Sequence, residues 1–327
     1  MSHFALASDA RLRRLRTSNS IRTIVRENKL QAEDLIYPVF VCDGKDRREA
    51  ISSMPGVERV SLDHFEKDLL RYKQIGIRSL LIFGIPAHKD AVGTSAFDNN
   101  GCVQRAIRLC KELAPEIVVI SDICLCEFTD HGHCGLVEKG QVLNDPTLEL
   151  LAKMALSHAK AGVDLVAPSS MMDGQVAAIR SVLDQNSFSN IPIMAYSAKF
   201  SSAFYGPFRE AAQSAPQFGD RKAYQMDSGN AREALEEIRL DIEQGADIVM
   251  VKPGLAYLDI LSRASQIFNK PLAVYNVSGE YSMIKAAAAA GYIDEKAVAM
   301  ETLLAFKRAG AKLIISYFTP DAIKWLQ

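Results

Sequence analysis

The chain is 327 residues long, 48% hydrophobic and 24% charged, with 38 basic residues against 39 acidic ones. That is the composition of an ordinary globular protein with ample core material, and so even a charge balance argues against nucleic acid or an anionic membrane as the main partner and for small molecules. No signal peptide or long apolar run is read, and the cysteines form no disulfide framework, so the expected setting is soluble and reducing, by default the cytoplasm.

The chain begins with a basic stretch from Arg11 to Arg26 that carries Leu12, Leu15, Ile21, Ile24 and Val25. It runs into the strand-like Leu35–Val41, so residues 1–34 are read as an arm outside the core, its apolar side chains seeking a neighbouring subunit. The remainder, 35–327, repeats one unit. Four times a helix-like stretch ends on glycine and enters a β-branched run, at Gly76, Gly162, Gly245 and Gly310, as a left-handed helix terminus followed by a strand requires. Apolar runs at Leu35–Val41, Ile117–Ser121, Ile193–Tyr196 and Leu272–Val277 raise the count of candidate strands to eight. Amphipathic patterns at 62–74, 103–113, 147–161, 176–185, 231–244, 258–268 and 295–308 lie between them. Near-continuous apolar strands imply a parallel sheet buried on both faces. Eight of them alternating with helices over roughly 250 to 300 residues predict a (β/α)8 TIM barrel. The rival, an open doubly wound sheet, lacks its glycine-rich turn after the first strand.

Chemistry on a barrel sits at the carboxyl ends of its strands. There the sequence places Asp122, Cys124 and Cys126 after the third strand, Ser169 and Ser170 after the fourth, Ser197 and Lys199 after the fifth, Lys252 after the sixth, Ser278 after the seventh, and Ser316 and Tyr317 after the eighth. Cys124, Cys126 and Cys134 fall in one short segment, with Gly132 and Gly135 letting it fold back. Three thiolates make a metal site with a position left open for water or substrate. Lys252 leaves a buried strand. Burial and a nearby cation both lower a lysine pKa, and the neutral amine is the form that makes an imine with a carbonyl. Lys199 arrives from the adjacent strand and supplies that cation. His131 and His133 read either as metal ligands or as solvated loop residues. Residues 200–225 make a long aromatic connection punctuated by Gly and Pro, read as a lid over the mouth, in which Arg209, Arg221 and Lys222 can fix a carboxylate.

Five segments in order then resemble the porphobilinogen synthase (5-aminolaevulinate dehydratase) family: the loop Asp122–Gly135, Tyr196–Arg209, Gly219–Gln225, Met250–Gly254 and Val277–Tyr281. The resemblance runs from about Arg13 to the C-terminus. It implies a hydro-lyase that joins two molecules of 5-aminolaevulinate into porphobilinogen with loss of two waters, an early step toward haem, chlorophyll and corrinoids. It further implies that Lys252 and Lys199 hold the two substrate molecules as Schiff bases, that Cys124, Cys126 and Cys134 bind zinc, and that Asp122 assists there. Arg209 and Arg221 would hold one carboxylate, and Ser278 with Tyr317 the other. Glu236 would bind an allosteric magnesium through waters, and the protein would be a homo-octamer with embracing arms. An extra cysteine that supports a second zinc in some members is missing, with Ala223 nearby. Two other readings compete. An aldolase-type barrel lyase explains one lysine but neither the second nor the cysteines, and a non-catalytic zinc or redox thiol sensor leaves both lysines without work.

Overall fold

The computed structural model describes residues 11–327; residues 1–10 of the expected arm lie outside the described residues. Eight parallel strands carry the fold: β1 (Leu35–Cys42), β2 (Ser79–Ile85), β3 (Val118–Ile123), β4 (Leu165–Pro168), β5 (Met194–Lys199), β6 (Ile248–Lys252), β7 (Leu272–Asn276) and β8 (Leu313–Ser316). Each pairs with its neighbours in chain order, and β8 returns to β1. The seam between β4 and β5 is closed by a parallel bridge from Val166 to Ile193. The barrel expected from the sequence is therefore present. All four joint glycines adopt positive φ, between +91° and +107°, where a β-carbon would strain the backbone.

Strand alternation sorts the apolar side chains into two sets. Ile36, Leu81, Ile120, Met194, Met250 and Ile315 pack inside the barrel. Leu35, Ile82, Val119, Val166, Val249 and Val274 pack outward under the helices, so the wall is dry on both faces. Several elements escaped the sequence reading. A short antiparallel pair, Arg48–Ala50 with Glu58–Ser61, adds to β1. Helices Ser278–Ala289 and Thr319–Leu326 follow β7 and β8. The first of these opens on Ser-Gly-Glu and runs into alanines, so it shows little apolar periodicity.

The arm lies away from the barrel as a short helical turn, Leu12–Arg16, and a helix, Asn19–Ile24. Leu12 is 70% exposed and Ile24 81%. Among the described residues, no helix is long and apolar enough to cross a membrane.

One buried carboxylate ties the barrel mouth together. Glu280 accepts hydrogen bonds from the backbone of Leu255 (2.7 Å) and Val277 (3.0 Å) and from Asn276 Nδ2 (2.9 Å), which links the turn after Lys252 to the end of β7. Burial pushes its pKa up to about 7 against those donors. Glu280→Ala strands all three, and urea unfolding should show a loss of about 3 kcal/mol. Glu280→Gln, which keeps an acceptor oxygen, should lose clearly less; equal losses would show that the donors are satisfied without it.

Candidate active site

Lys252 and Lys199 end adjacent strands directly opposite each other in register. Simple alternation from the inward Tyr196 would have turned Lys199 outward. A bulge in β5 prevents this: the pairing advances three residues on β5, from Ala195 to Ala198, while it advances two on β6, from Val249 to Val251. The extra residue re-aims everything beyond it. Ala198 packs outward, Ser197 turns to Asp241 on the helix Ala231–Glu243, and Lys199 comes inward beside Lys252. Ser197, expected at the mouth, is thereby placed outside it.

Both ammonium-bearing side chains are buried. Burial is the main cause that pulls Lys252 down to about 7, with the charge of Lys199 second and Asp122 opposing. Lys199 donates to the carbonyl of Ser169, whose hydroxyl in turn donates to Asp122 Oδ2 at 2.9 Å. Asp122 Oδ1 is buried without a hydrogen-bond partner. Its carboxyl is pushed up to about 7, by burial first and by Cys124 next, with the two lysines working against the rise. A buried amine and a buried acid that both titrate near neutrality can exchange a proton at little cost.

Cys124, Cys126 and Cys134 lie within 4.8 Å of one another, all buried, with Cys124 and Cys126 Sγ 3.4 Å apart. The hydrogen bonds of the other two thiols hold Cys134 well below the ordinary thiol range, and Arg221 and Lys199 add to this. Burial raises Cys124, and the other two thiols raise Cys126, so one of the three sulfurs is favoured as thiolate; three sulfur ligands gathered in one buried pocket suit a soft divalent cation. His133 is neither ligand nor solvated: its ring is buried between the Phe218 carbonyl (3.0 Å) and the Tyr224 hydroxyl (3.1 Å). His131 packs beside it. The sequence reading missed Glu127. Its carboxylate is buried 3.3 Å from Cys126 Sγ, and nothing in a loop sequence distinguishes it from a solvated glutamate.

Residues 200–225 fold onto this site through a helical turn (Ala203–Tyr205) and a helix (Gly206–Ala211). The backbone of Gln217 donates to the His131 carbonyl at 3.0 Å. Arg221 Nη2 donates to the carbonyls of Gly132 (2.9 Å) and Ser214 (2.6 Å), and Lys89 Nζ donates to that of Gln213 at 2.6 Å. Arg209 and Arg221 repel each other, and burial together with Arg221 lowers Arg209. Each keeps a buried Nε with no partner, a pair of cations prepared for an anion. Lys222 is exposed. Ser278 Oγ accepts from the Phe208 backbone at 3.0 Å, and the Tyr317 and Tyr275 hydroxyls lie 3.1 Å apart. Ser316 is occupied with Asn276 and the Phe318 backbone.

Glu236 lies elsewhere, on the exposed face of Ala231–Glu243, where Arg239 takes both of its oxygens. Its neighbour Glu237 turns inward to line a cleft with Asp173, Gln175 and Asp241. Burial first, then Asp241 and Asp173, push Glu237 up to about 7, and Gln175 Oε1 is buried there without a partner.

Gly132 makes the closure over the cysteines possible. It has φ +71°, and a β-carbon there would stand 2.5 Å from the carbonyl oxygen of Ala215. Gly132→Ala adds about 1–2 kcal/mol of backbone strain to that clash. Limited proteolysis should then cut residues 213–220 faster than in the parent protein; an unchanged cleavage rate would show that this close approach is dispensable.

The family model for delta-aminolevulinic acid dehydratase matches residues 9–325. The chain is 55% identical to the delta-aminolevulinic acid dehydratase of Bacillus subtilis, covering 97% of this chain and 98% of that one. It is 54% identical to that of Halalkalibacterium halodurans, covering 97% and 96%. A crystal structure of delta-aminolevulinic acid dehydratase (porphobilinogen synthase) from Toxoplasma gondii, in complex with its product porphobilinogen, superposes with a TM-score of 0.95 at 41% identity, covering 98% of this chain and 92% of that one. The chain belongs to the delta-aminolevulinic acid dehydratase family.

Proposed function

We propose that this barrel mouth carries out the family's reaction, the condensation of two molecules of 5-aminolaevulinate to porphobilinogen with loss of two waters, through Schiff bases on both lysines. The observation that supports it most is the pairing of Lys252 with Lys199 in register. Lys252, its amine about half neutral at pH 7, attacks the ketone of the first substrate molecule in its neutral form, and Lys199 holds the second. Asp122, uncharged or charged with little cost near neutrality, accepts and returns protons between them. The unpartnered Nε atoms of Arg209 and Arg221 take one substrate carboxylate. The hydroxyls of Ser278 and Tyr317 take the other, with Ser278 also holding the lid backbone at Phe208. Residues 200–225 act as the lid that excludes water.

Cys124, Cys126 and Cys134 would hold zinc, which when bound supplies a Lewis acid at its open position for the second substrate molecule. Magnesium fits poorly at Glu236, whose carboxylate is committed to Arg239. The acid-lined cleft at Glu237, with the free oxygen of Gln175, better suits a hydrated hard cation, and the magnesium is proposed there instead. The arm's exposed Leu12, Leu15 and Ile24 support burial against another subunit in a homo-oligomer, the octamer of the resemblance. The cytoplasm remains the proposed location.

The test is to incubate the protein with 5-aminolaevulinate, follow pyrrole formation, and trap imines with borohydride. Label should map to Lys252 with a lesser share on Lys199, and Lys252→Ala should lose at least about a thousandfold in turnover. A zinc chelator should suppress pyrrole formation, and added zinc should restore it. If Lys252→Ala retains near-parental turnover, the imine assignment is wrong.

A further inference from the structure

The Lys252 ammonium nitrogen sits over four aromatic rings: Tyr275 at 4.2 Å from the centroid, Tyr196 at 5.0 Å, Phe208 at 5.1 Å and Tyr205 at 5.3 Å. All lie within the range in which a ring face attracts a cation. They come from three separate places, β5, β7 and the segment 203–211, so no single local sequence pattern produces the box. The Tyr275 hydroxyl is engaged with Tyr317, and that of Tyr205 with the carbonyls of Phe200 and Lys252. These two rings therefore offer Nζ their faces rather than their oxygens.

For a lysine that must react as a neutral amine this box is paradoxical, because it favours charge on the nitrogen. The charged and titratable groups facing Lys252 are Lys199 from β5, Asp122 from β3, and Cys126 and Glu127 from the cysteine loop. Lys199 and burial suppress the ammonium, and the box works against them. The paradox disappears once the reaction is followed. The Lys252 nitrogen lone pair forms a bond to the ketone carbon. The ketone oxygen then leaves as water, carrying one proton from the amine and one taken up from solvent. The product is a C=N bond whose nitrogen keeps one proton and the positive charge. That charge is spread over a flat, weakly hydrated group, which suits aromatic faces better than a compact, strongly hydrated ammonium does. Interactions stronger for the reacting species than for the starting state are the ones that accelerate a step.

We propose that Tyr275, Tyr196, Phe208 and Tyr205 are catalytic residues that hold the positive charge of the iminium on Lys252, keeping the bound substrate electrophilic. The inference rests on the Schiff-base reading above. Because Phe208 and Tyr205 belong to the segment 203–211, the box is complete only when that segment lies over the mouth, which couples closure to the stability of the intermediate.

Tyr275 is the position to test, since it is nearest. Tyr275→Phe removes only the hydroxyl, and replacement by a series of ring-fluorinated phenylalanines withdraws the negative charge of the face while keeping its shape and the fold. The readout is the equilibrium between 5-aminolaevulinate and its borohydride-trappable imine on Lys252 at fixed pH. Relative to Tyr275→Phe, which sets the baseline without the hydroxyl, the iminium should fall in steps with each added fluorine, by about tenfold across the series; Tyr275→Leu should fall at least as far. A flat response to fluorination, or a leucine variant equal to the phenylalanine variant, would overturn the box. Absence of any trapped imine at Lys252 in the parent protein would instead overturn the Schiff-base reading, and the box with it.

Discussion

Two lysine amines held side by side in a dry barrel mouth, where both cannot easily stay charged, are the constraint on which the rest of this structure depends. Opposed lysines on neighbouring strands repel, and in a low-dielectric wall that repulsion is poorly screened. The fold does not relieve it by turning one lysine outward; the β5 bulge turns it inward. What balances the excess is distributed around them: Asp122 beneath, Glu127 and the thiols of the cysteine loop to one side, and ring faces above Lys252. Arg209 and Arg221 extend the positive field across the mouth. A substrate that brings a carboxylate and a carbonyl meets groups for both.

Closure belongs to the same arrangement. The segment over the mouth is anchored at the thiol loop through Gln217 and Arg221, at Lys89 through Gln213, and at the N-terminus of Ser278–Ala289 through Ser278. Its first half is packed in, with Phe208 against Phe40 and Phe83, Phe200 on Tyr257, and Tyr205, Ala211 and Ala212 buried, whereas the stretch from Gln213 to Arg221 is held by backbone carbonyls and single hydrogen bonds, the weaker of the two attachments. Tyr205 and Phe208 belong to it, so the environment of Lys252 depends on this segment lying over the mouth.

The barrel was legible because its strands are buried on both faces and its helix-to-strand joints carry glycine, and each of those glycines takes the left-handed conformation expected. The lysines and cysteines were legible as residue types at strand ends. Their geometry was not. The inward direction of Lys199 depends on a bulge that apolar periodicity does not record, and Ser197 was placed at the mouth for the same reason. Glu127, His133 and Glu237 were hidden because a charged or polar residue in a loop or amphipathic helix looks solvated until tertiary packing buries it. Glu236 and Glu237 differ by one step along a helix, about a hundred degrees of rotation, and only the packed structure shows which of them faces Arg239 and which faces the cleft.

The most direct measurement is the titration of Lys252 itself, by nitrogen NMR of isotopically labelled lysine in the parent protein and in Lys199→Met. In the parent protein the amine should lose its proton near pH 7, so that the nucleophile is present above that pH and absent below it. Lys199→Met removes the neighbouring cation but leaves the burial, so the midpoint should move upward and still stop short of the ordinary value of 10.5, carrying the onset of imine formation to higher pH with it. A parent Lys252 that titrates at its ordinary value, or a midpoint that Lys199→Met leaves where it was, would contradict the joint action of burial and the paired lysine on its reactivity.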